Sequence, residues 1–329
     1  MDNHTISAMN TENVSGTVKK GVCGSTLKLI AIITMLIDHT AAVILERWLT
    51  AERLGGLHTN EQFWYNTYLI MRFTGRLAFP LFCFLLVEGF QHTRNVGKYA
   101  ARLAVFALIS EIPFDLALHG TAFYFHYQNV FFTLLIALLV LFGFCMVREK
   151  AADRQWLPLA AVLGVFASGG YSVFFIHKYS AYLPMLRGKD ITSTGYWSLA
   201  IISVGIALVT YILMCRKNSL RTASIRFSDL ALLFAGMALA ELLMTDYSGF
   251  GVLTVAVMYG LRKNPFKALL GGCITLTAMQ VFEATSFLAL IPMRFYNGKR
   301  GWKLKYVFYF FYPVHLLLLY MICRFMNIV

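Results

Sequence analysis

Apolar residues run along this chain in blocks of about 20, the length that carries a helix across the hydrocarbon of a bilayer. Short polar or basic connectors separate them. The pattern predicts spans over 27–46, 68–90, 97–117, 129–147, 155–171, 196–215, 228–245, 248–262, 267–292 and 305–326. Two stretches are less regular. Residues 228–262 break at Thr245-Asp246-Tyr247-Ser248-Gly249, and the aromatic segment 171–186 contains His177 and Lys178. Both suit re-entrant or interfacial elements, because irregular backbone at membrane depth persists where protein covers it. The expected fold is all-α, a polytopic integral membrane bundle of about ten transmembrane helices, with residues 27–329 as one domain. Residues 1–26 are polar, lack the layout of a secretory signal, and are expected to form a disordered cytoplasmic tail.

Composition points the same way. The 329 residues are 58% hydrophobic and 14% charged, whereas soluble domains are about 45–50% apolar and about 25% charged. The net charge of +13 falls in connectors: Arg94/Lys98, Arg148/Lys150/Arg154, Arg216/Lys217/Arg221/Arg226 and Arg262/Lys263/Lys267 join Lys19/Lys20 on one side, while connector 112–128 has no Lys or Arg. The positive-inside rule makes the basic side cytoplasmic and explains the charge without nucleic acid. Both termini then face the cytoplasm. RFYNGKRGWKLK, residues 294–305, breaks the pattern: after nine spans its five cations fall outside. Either a span is miscounted or the charges serve an anionic ligand. The six cysteines lie singly with no CxxC pair, a pattern of small buried apolar residues with no metal site.

Ionisable side chains inside a span cost roughly 2.5–3.5 kcal/mol each on insertion scales, so they mark functional positions by default. The first span, LIAIITMLIDHTAAVIL, carries Asp38 and His39. Lys28 precedes His39 by close to three helical turns and shares its face, while Asp38 points about 100° away toward another helix. An imidazole can accept a proton near neutral pH; a pair that merely packs helices would read identically. In MRFTGRLAFPLFCFLLVEGF, Arg72 and Arg76 are one turn apart, and Pro80 is expected to kink the helix before Glu88. Two guanidinium groups suit a phosphate, a carboxylate or a thioester oxygen, or pair internally with Glu88 or Glu111.

Glu111 and Asp115 flank Pro113 at i,i+4, and Asn129 and Thr133 share a face in HYQNVFFTLL; these are binding groups or polar glue between helices. Asp246 stands where two short helices meet, as a cap or as part of a broken-helix site. Gln280 is a single amide in the ninth span. Asn297-Gly298 makes a tight turn bearing Lys299 and Arg300. Beyond it, Tyr309, Tyr312 and His315 recur at i, i+3 and i+6 in FYFFYPVHLLLLY.

The strings LKLIAIITMLIDH, RFTGRLAFPLFCFLLVEGFQHT, YAARLAVFALISEIPFDLA, QNVFFTLL, TDYSGFGVL and FYNGKRG with KYVFYFFYPVHLLLL together resemble the TraX family of bacterial membrane proteins. That family is named for a conjugation protein associated with amino-terminal acetylation of F pilin. The resemblance runs in order from about residue 27 to the end, and is absent from 148–226 and from the tail. TraX-like proteins in turn resemble the multi-span membrane acyltransferases, in which an acyl group from acyl-CoA reaches an acceptor at or across the membrane and a first-span histidine is catalytic. The resemblance implies that role for His39 and an arginine role for Arg72 or Arg76. It implies an acetyltransferase using acetyl-CoA, with the acceptor open: a surface glycan, lipid or peptide.

On this reading His39 is a general base oriented by Asp38 or another carboxylate. Arg72 and Arg76 stabilise an oxyanion, and Glu111 and His315 complete the catalytic set. Asn297, Lys299, Arg300 and Tyr312 bind the donor, while Asn129, Asp246 and Glu88 bind the acceptor. The competing class is a proton-coupled transporter or flippase, which uses the same intramembrane ionisable groups.

Overall fold

The computed structural model describes residues 21–55, 60–150, 157–179, 193–302 and 305–328. Among these every regular element is helical, and β pairing is limited to the isolated bridges Val22 to Tyr296 and Gln128 to Thr245. The expected tail over residues 1–20, Arg154, residues 180–186 and Lys303 lie outside the described residues. Residues 21–26 belong to the fold, because α1 starts at Gly24.

In chain order, α1 (Gly24–Thr40), a π-helical turn (Ala41–Leu45) and α2 (Glu46–Gly55) form one continuous rod. α3 (Glu61–Gly75) and α4 (Ala78–His92) form the return. Their break falls at Arg76-Leu77, ahead of the expected kink, and leaves Pro80 in the first turn of α4, where a missing N–H is tolerated. α5 (Val96–His119), α6 (Val130–Lys150), α7 (Leu157–Tyr179), α8 (Ser193–Lys217) and α9 (Leu220–Leu242) follow. Local chemistry sets several ends. Asn95 caps α5 by accepting from the Lys98 N–H, Asn264 does the same for the Lys267 N–H of the later helix Pro265–Met279, and Gly120 ends α5 in the left-handed region at φ 73°.

Among the described residues seven helical stretches are long and apolar enough to cross a membrane: Gly24–Ala51, Glu61–His92, Val130–Glu149, Pro158–Lys178, Gly195–Lys217, Leu220–Leu242 and Tyr306–Phe325. α5 has the length but carries Lys98, Arg102, Glu111 and Asp115. Two shorter apolar helices, α10 (Ser248–Gly260) and α11 (Pro265–Met279), pack against each other. The protein is an all-α, membrane-embedded polytopic bundle.

The structure departs from the expected topology over 267–292. What reads as one span is a hairpin. α11 ends at Gln280, which is extended (φ −154°, ψ 128°), and the chain returns through a 3-10 helix (Val281–Ala289) and α12 (Leu290–Arg294). Cys273 Sγ donates to the Ser286 carbonyl at 3.4 Å, joining the two limbs about equally far from Gln280.

The hairpin brings residues 295–300 back to the face where residue 21 lies. Val22 N–H donates to Phe295 O at 2.8 Å, Gly24 N–H to Lys299 O at 2.7 Å and Ser25 N–H to Arg300 O at 3.0 Å. α13 (Lys305–Phe325) therefore runs parallel to α1: His39 meets His315 midway, and Cys323 Sγ donates to Val43 O at 3.4 Å farther down. The expected outside placement of 294–305 is a miscount, and so is the expectation that both ends of the chain share a face. With the loop moved, Arg300 joins Arg94 and its fellow connector cations on one basic face.

A single large core, including Leu27, Phe84, Phe114, Leu138, Met258 and Leu316, joins α1, α4, α5, α6, α9, α10, α11, α12 and α13, while α7 and α8 bury no residue in it. That pair docks on α9 through a separate small cluster of Ala161, Val165 and Phe227.

Candidate functional site

His39 sits in the last turn of α1, directly ahead of the π-helical turn. A π turn carries an extra residue, re-aims the side chains around it, and is frequent at functional positions. The His39 Nδ1 lies 2.6 Å from His315 Nε2 on the parallel helix α13. The two ring planes differ by 2°, with centroids 4.9 Å apart. That separation is the N···N contact plus the two ring radii, so the imidazoles lie end to end in one plane and not face to face.

His315 Nδ1 is 2.7 Å from the Phe311 carbonyl, which can only accept. Nδ1 of His315 therefore carries the proton, its Nε2 accepts from His39 Nδ1–H, and the neutral His39 is left with a bare lone pair on Nε2. This tautomer follows from the hydrogen-bond network. His39 Nε2 makes no hydrogen bond among the described residues. Tyr312 stands edge-on to both rings, at 5.9 Å from His39 and 5.8 Å from His315, and is itself packed edge-on against Phe131.

Asp38, next in sequence, turns the other way. Arg72 donates to its Oδ2 at 2.8 Å and Arg76 to its Oδ1 at 3.4 Å. Arg76 also donates to Glu283 Oε1 at 2.9 Å, and its Nε–H to the Arg72 carbonyl at 3.3 Å. Two guanidinium groups and two carboxylates thus cancel in a partly buried network, the arrangement that offsets desolvation of charge. The close approach depends on Gly75, where an added Cβ would stand 2.2 Å from Asp38 Cβ. Glu283 comes from the 3-10 helix, which at nine residues is longer than such helices usually run.

Several expected pairings are replaced. The arginines bond Asp38 and Glu283, not Glu88 or Glu111. His39 is oriented by His315, not by Asp38. Glu111 accepts from the Asn129 amide, which also donates to Ala107 O at 2.8 Å. Asp115 accepts the Tyr124 N–H at 2.8 Å. Asp246 takes the Tyr127 hydroxyl at 2.7 Å, and its carbonyl accepts from Thr133. Asn129, Thr133 and Asp246 thus join α5, α6 and the α9–α10 turn in a polar layer of their own.

The expected donor group separates as well. Arg300 and Tyr312 line one cavity of about 660 Å³, together with Glu88. Asn297 braces its turn, accepting the Lys299 N–H at 2.9 Å, while Gly298 supplies φ 74°. Neither Asn297 nor Lys299 lines the cavity. The cavity opens among Lys28, Arg94 and Arg300 on the basic face and ends at Met35 and Tyr312. Met35 is one helical turn above His39. Among the described residues no group of three or more His, Cys, Asp or Glu is placed to hold a metal ion.

Glu283, Gly75, Arg94 and Arg102 were not marked by sequence reasoning. Glu283 and Arg102 obey the rule that flagged the others, being ionisable within predicted spans; Gly75 and Arg94 carry no such signal.

A profile described as "TraX protein" matches residues 23–184 and 190–323. The chain belongs to the TraX family. It is also 30% identical over 311 residues, 89% of this chain and 92% of the relative, to the "Probable fimbrial assembly protein FimC, serogroup H1" of Dichelobacter nodosus. No solved structure matches. The matched stretches of this TraX-family protein contain both imidazoles, the arginine network and the cavity, and they extend through α7, where the sequence shows no resemblance of its own.

Proposed function

We propose that this TraX-family protein is an acetyltransferase of the bacterial cytoplasmic membrane. It moves an acetyl group from acetyl-CoA to a hydroxyl or amine on a surface polymer, lipid-linked sugar or peptide. The observation that carries the reading is the chain from Phe311 O through His315 to His39, which leaves one basic nitrogen at membrane depth beside the closed end of a cavity. Its mouth lies on the basic face, cytoplasmic by the positive-inside rule, where acyl-CoA is found. The name of the relative favours a fimbrial peptide as acceptor.

In the reaction His39 Nε2 removes the proton from the attacking O–H or N–H as the oxygen or nitrogen bonds to the thioester carbonyl carbon. The tetrahedral oxyanion collapses with cleavage of the C–S bond, and the departing thiolate takes the proton back from His39. The developing imidazolium is stabilised through Nδ1–H to His315. Arg72 is the more exposed guanidinium of the network (24% against 15%) and faces the oxyanion. Arg76, held between Asp38 and Glu283, positions it. No protein nucleophile is required.

The test is label transfer from radiolabelled acetyl-CoA by the full chain in proteoliposomes. Loss of a general base costs roughly 10²–10⁴-fold, so folded His39→Ala should fall by at least two orders of magnitude. Equal transfer by wild type and variant would sink the assignment.

A further inference from the structure

Two groups of four cations in this protein contrast. Arg72, Arg76, Arg148 and Lys178 each meet a carboxylate within ion-pair distance. Lys28, Arg94, Arg102 and Arg300 meet none among the described residues, and all four line the same cavity. Its one acid, Glu88, already accepts from the Tyr296 hydroxyl at 3.3 Å.

Two of the four are held in place without being neutralised. Lys28 Nζ lies 5.2 Å from the Phe308 ring centroid and Arg102 Cζ 5.6 Å from that of Tyr99, contacts that steady a cation and leave its charge. Arg300 is close enough for its field to act on Lys28. Like charges gathered around a concave, partly apolar wall focus a positive potential, and the complement of that potential is an anion with more than one charge.

Shape narrows the class. The cavity, about 660 Å³, is of the size that takes an organic ligand and is far larger than a lone phosphate needs. From Gly24 at its mouth to Met35 at its end α1 advances about 17 Å at 1.5 Å per residue. The charges sit at the mouth, and the lower wall is Leu134, Phe131 and Tyr312.

We propose that Lys28, Arg94, Arg102 and Arg300 bind the phosphate groups of a ligand whose uncharged arm runs down this cavity to Tyr312. On the acyl-transfer reading, on which this identification rests, the ligand is the coenzyme A donor, its phosphates at the mouth and its thioester at the bottom. An anionic phospholipid offers the same phosphate chemistry from another source.

The experiment is equilibrium binding to the full chain in nanodiscs of phosphatidylcholine, using coenzyme A and pantetheine, the same arm without phosphates. Coenzyme A should bind at least tenfold more tightly than pantetheine, and Arg94→Ala with Arg300→Ala should remove that margin. Arg94→Lys with Arg300→Lys should keep most of it, which separates charge from folding. Equal binding of the two probes, or an unaffected alanine variant, overturns the proposal. If phosphatidylglycerol nanodiscs abolish coenzyme A binding, and mass spectrometry finds a retained phospholipid that the alanine variant lacks, the nucleotide assignment falls to the lipid. Label transfer that persists unchanged in the alanine variant refutes the phosphate site and leaves the acyl-transfer reading standing. Phosphate-dependent binding with no label transfer by wild type does the reverse.

Discussion

The layer around His39 and the pair α7/α8 are built from helices of similar apolar content and solve different problems. α7 and α8 are regular and meet through serine contacts such as Ser172 to Ser203 at 2.9 Å. α8 buries none of its central stretch, so Trp197, Ile201 and Ile206 are left facing outward. The His39 layer is irregular wherever it carries charge: a π turn follows His39, a break falls at Arg76-Leu77, and a 3-10 helix supplies Glu283. In a membrane every backbone group must be satisfied internally, so irregular backbone persists only where packed protein surrounds it. Regularity marks the part of the bundle that faces lipid, and irregularity the part that holds chemistry.

That contrast can be broken most forcefully at Arg76. Arg76→Ala weakens the hold on Asp38, which keeps Arg72, and leaves the buried Glu283 carboxylate unpaired, a loss of about 3–5 kcal/mol. Thermal unfolding in detergent should show a large fall, whereas Arg216→Ala at the end of α8 should shift stability by no more than about 0.5 kcal/mol. Equal shifts would remove the distinction between the two regions.

Glycines sharpen it. Gly75→Ala forces a methyl into Asp38 and should cost about 1–3 kcal/mol as overpacking, with the proposed acetyl transfer lost alongside. Gly170 and Gly205, in α7 and α8, have nothing within 4 Å of an added Cβ. Alanine at either should be neutral or stabilising by up to about 1 kcal/mol from helix propensity, with transfer unchanged. Destabilisation at Gly205 matching that at Gly75 would show that α8 is packed against something in the membrane.

The smallest expected effect lies at the cavity mouth, outside the spans. The Cys23 Sγ lies 3.1 Å from the Ser25 hydroxyl and 3.3 Å from that of Thr26, and hydroxyls that can donate to the thiolate bring its pKa down to about 7. A lowered pKa places the thiolate at lower pH, so alkylation of a variant retaining only Cys23 should reach half its maximal rate near pH 7. A free thiol does so near about 8.5, and that value in the variant would show the hydroxyl contacts to be absent. The buried reading of the six cysteines holds for Cys83, Cys273 and Cys323, whereas Cys23, Cys145 and Cys215 are partly exposed.

Most of the bundle is legible in the sequence because hydrophobic length alone defines a membrane helix. His39, Asp38, Arg72 and Arg76 are legible because charge inside such a run has no cheap explanation. Partners are not legible in this way. Nothing in the order of residues says that Asp38 faces the arginines while His39 faces His315; that depends on α1 and α13 being parallel, and their direction turns on the hairpin at Gln280. Residues 267–292 read as one span because an apolar run broken by a single extended residue keeps its hydropathy. The lost turn reverses the side assigned to everything after it. The cavity cation Arg94 is illegible for a simpler reason, since in a connector it looks like an ordinary positive-inside charge, whereas Arg102 lies inside the predicted span 97–117 but close to its basic end.

The central claim is that the imidazole pair leaves His39 with a bare Nε2. Nitrogen-15 NMR of the histidine-labelled protein in nanodiscs, with His39→Gln and His315→Gln used for assignment, tests it most directly, because protonated and bare ring nitrogens resonate far apart. The account predicts, at neutral pH, a protonated Nδ1 and a bare Nε2 on His39, and the same tautomer on His315. A proton on His39 Nε2, or a pair sharing an imidazolium, would contradict it.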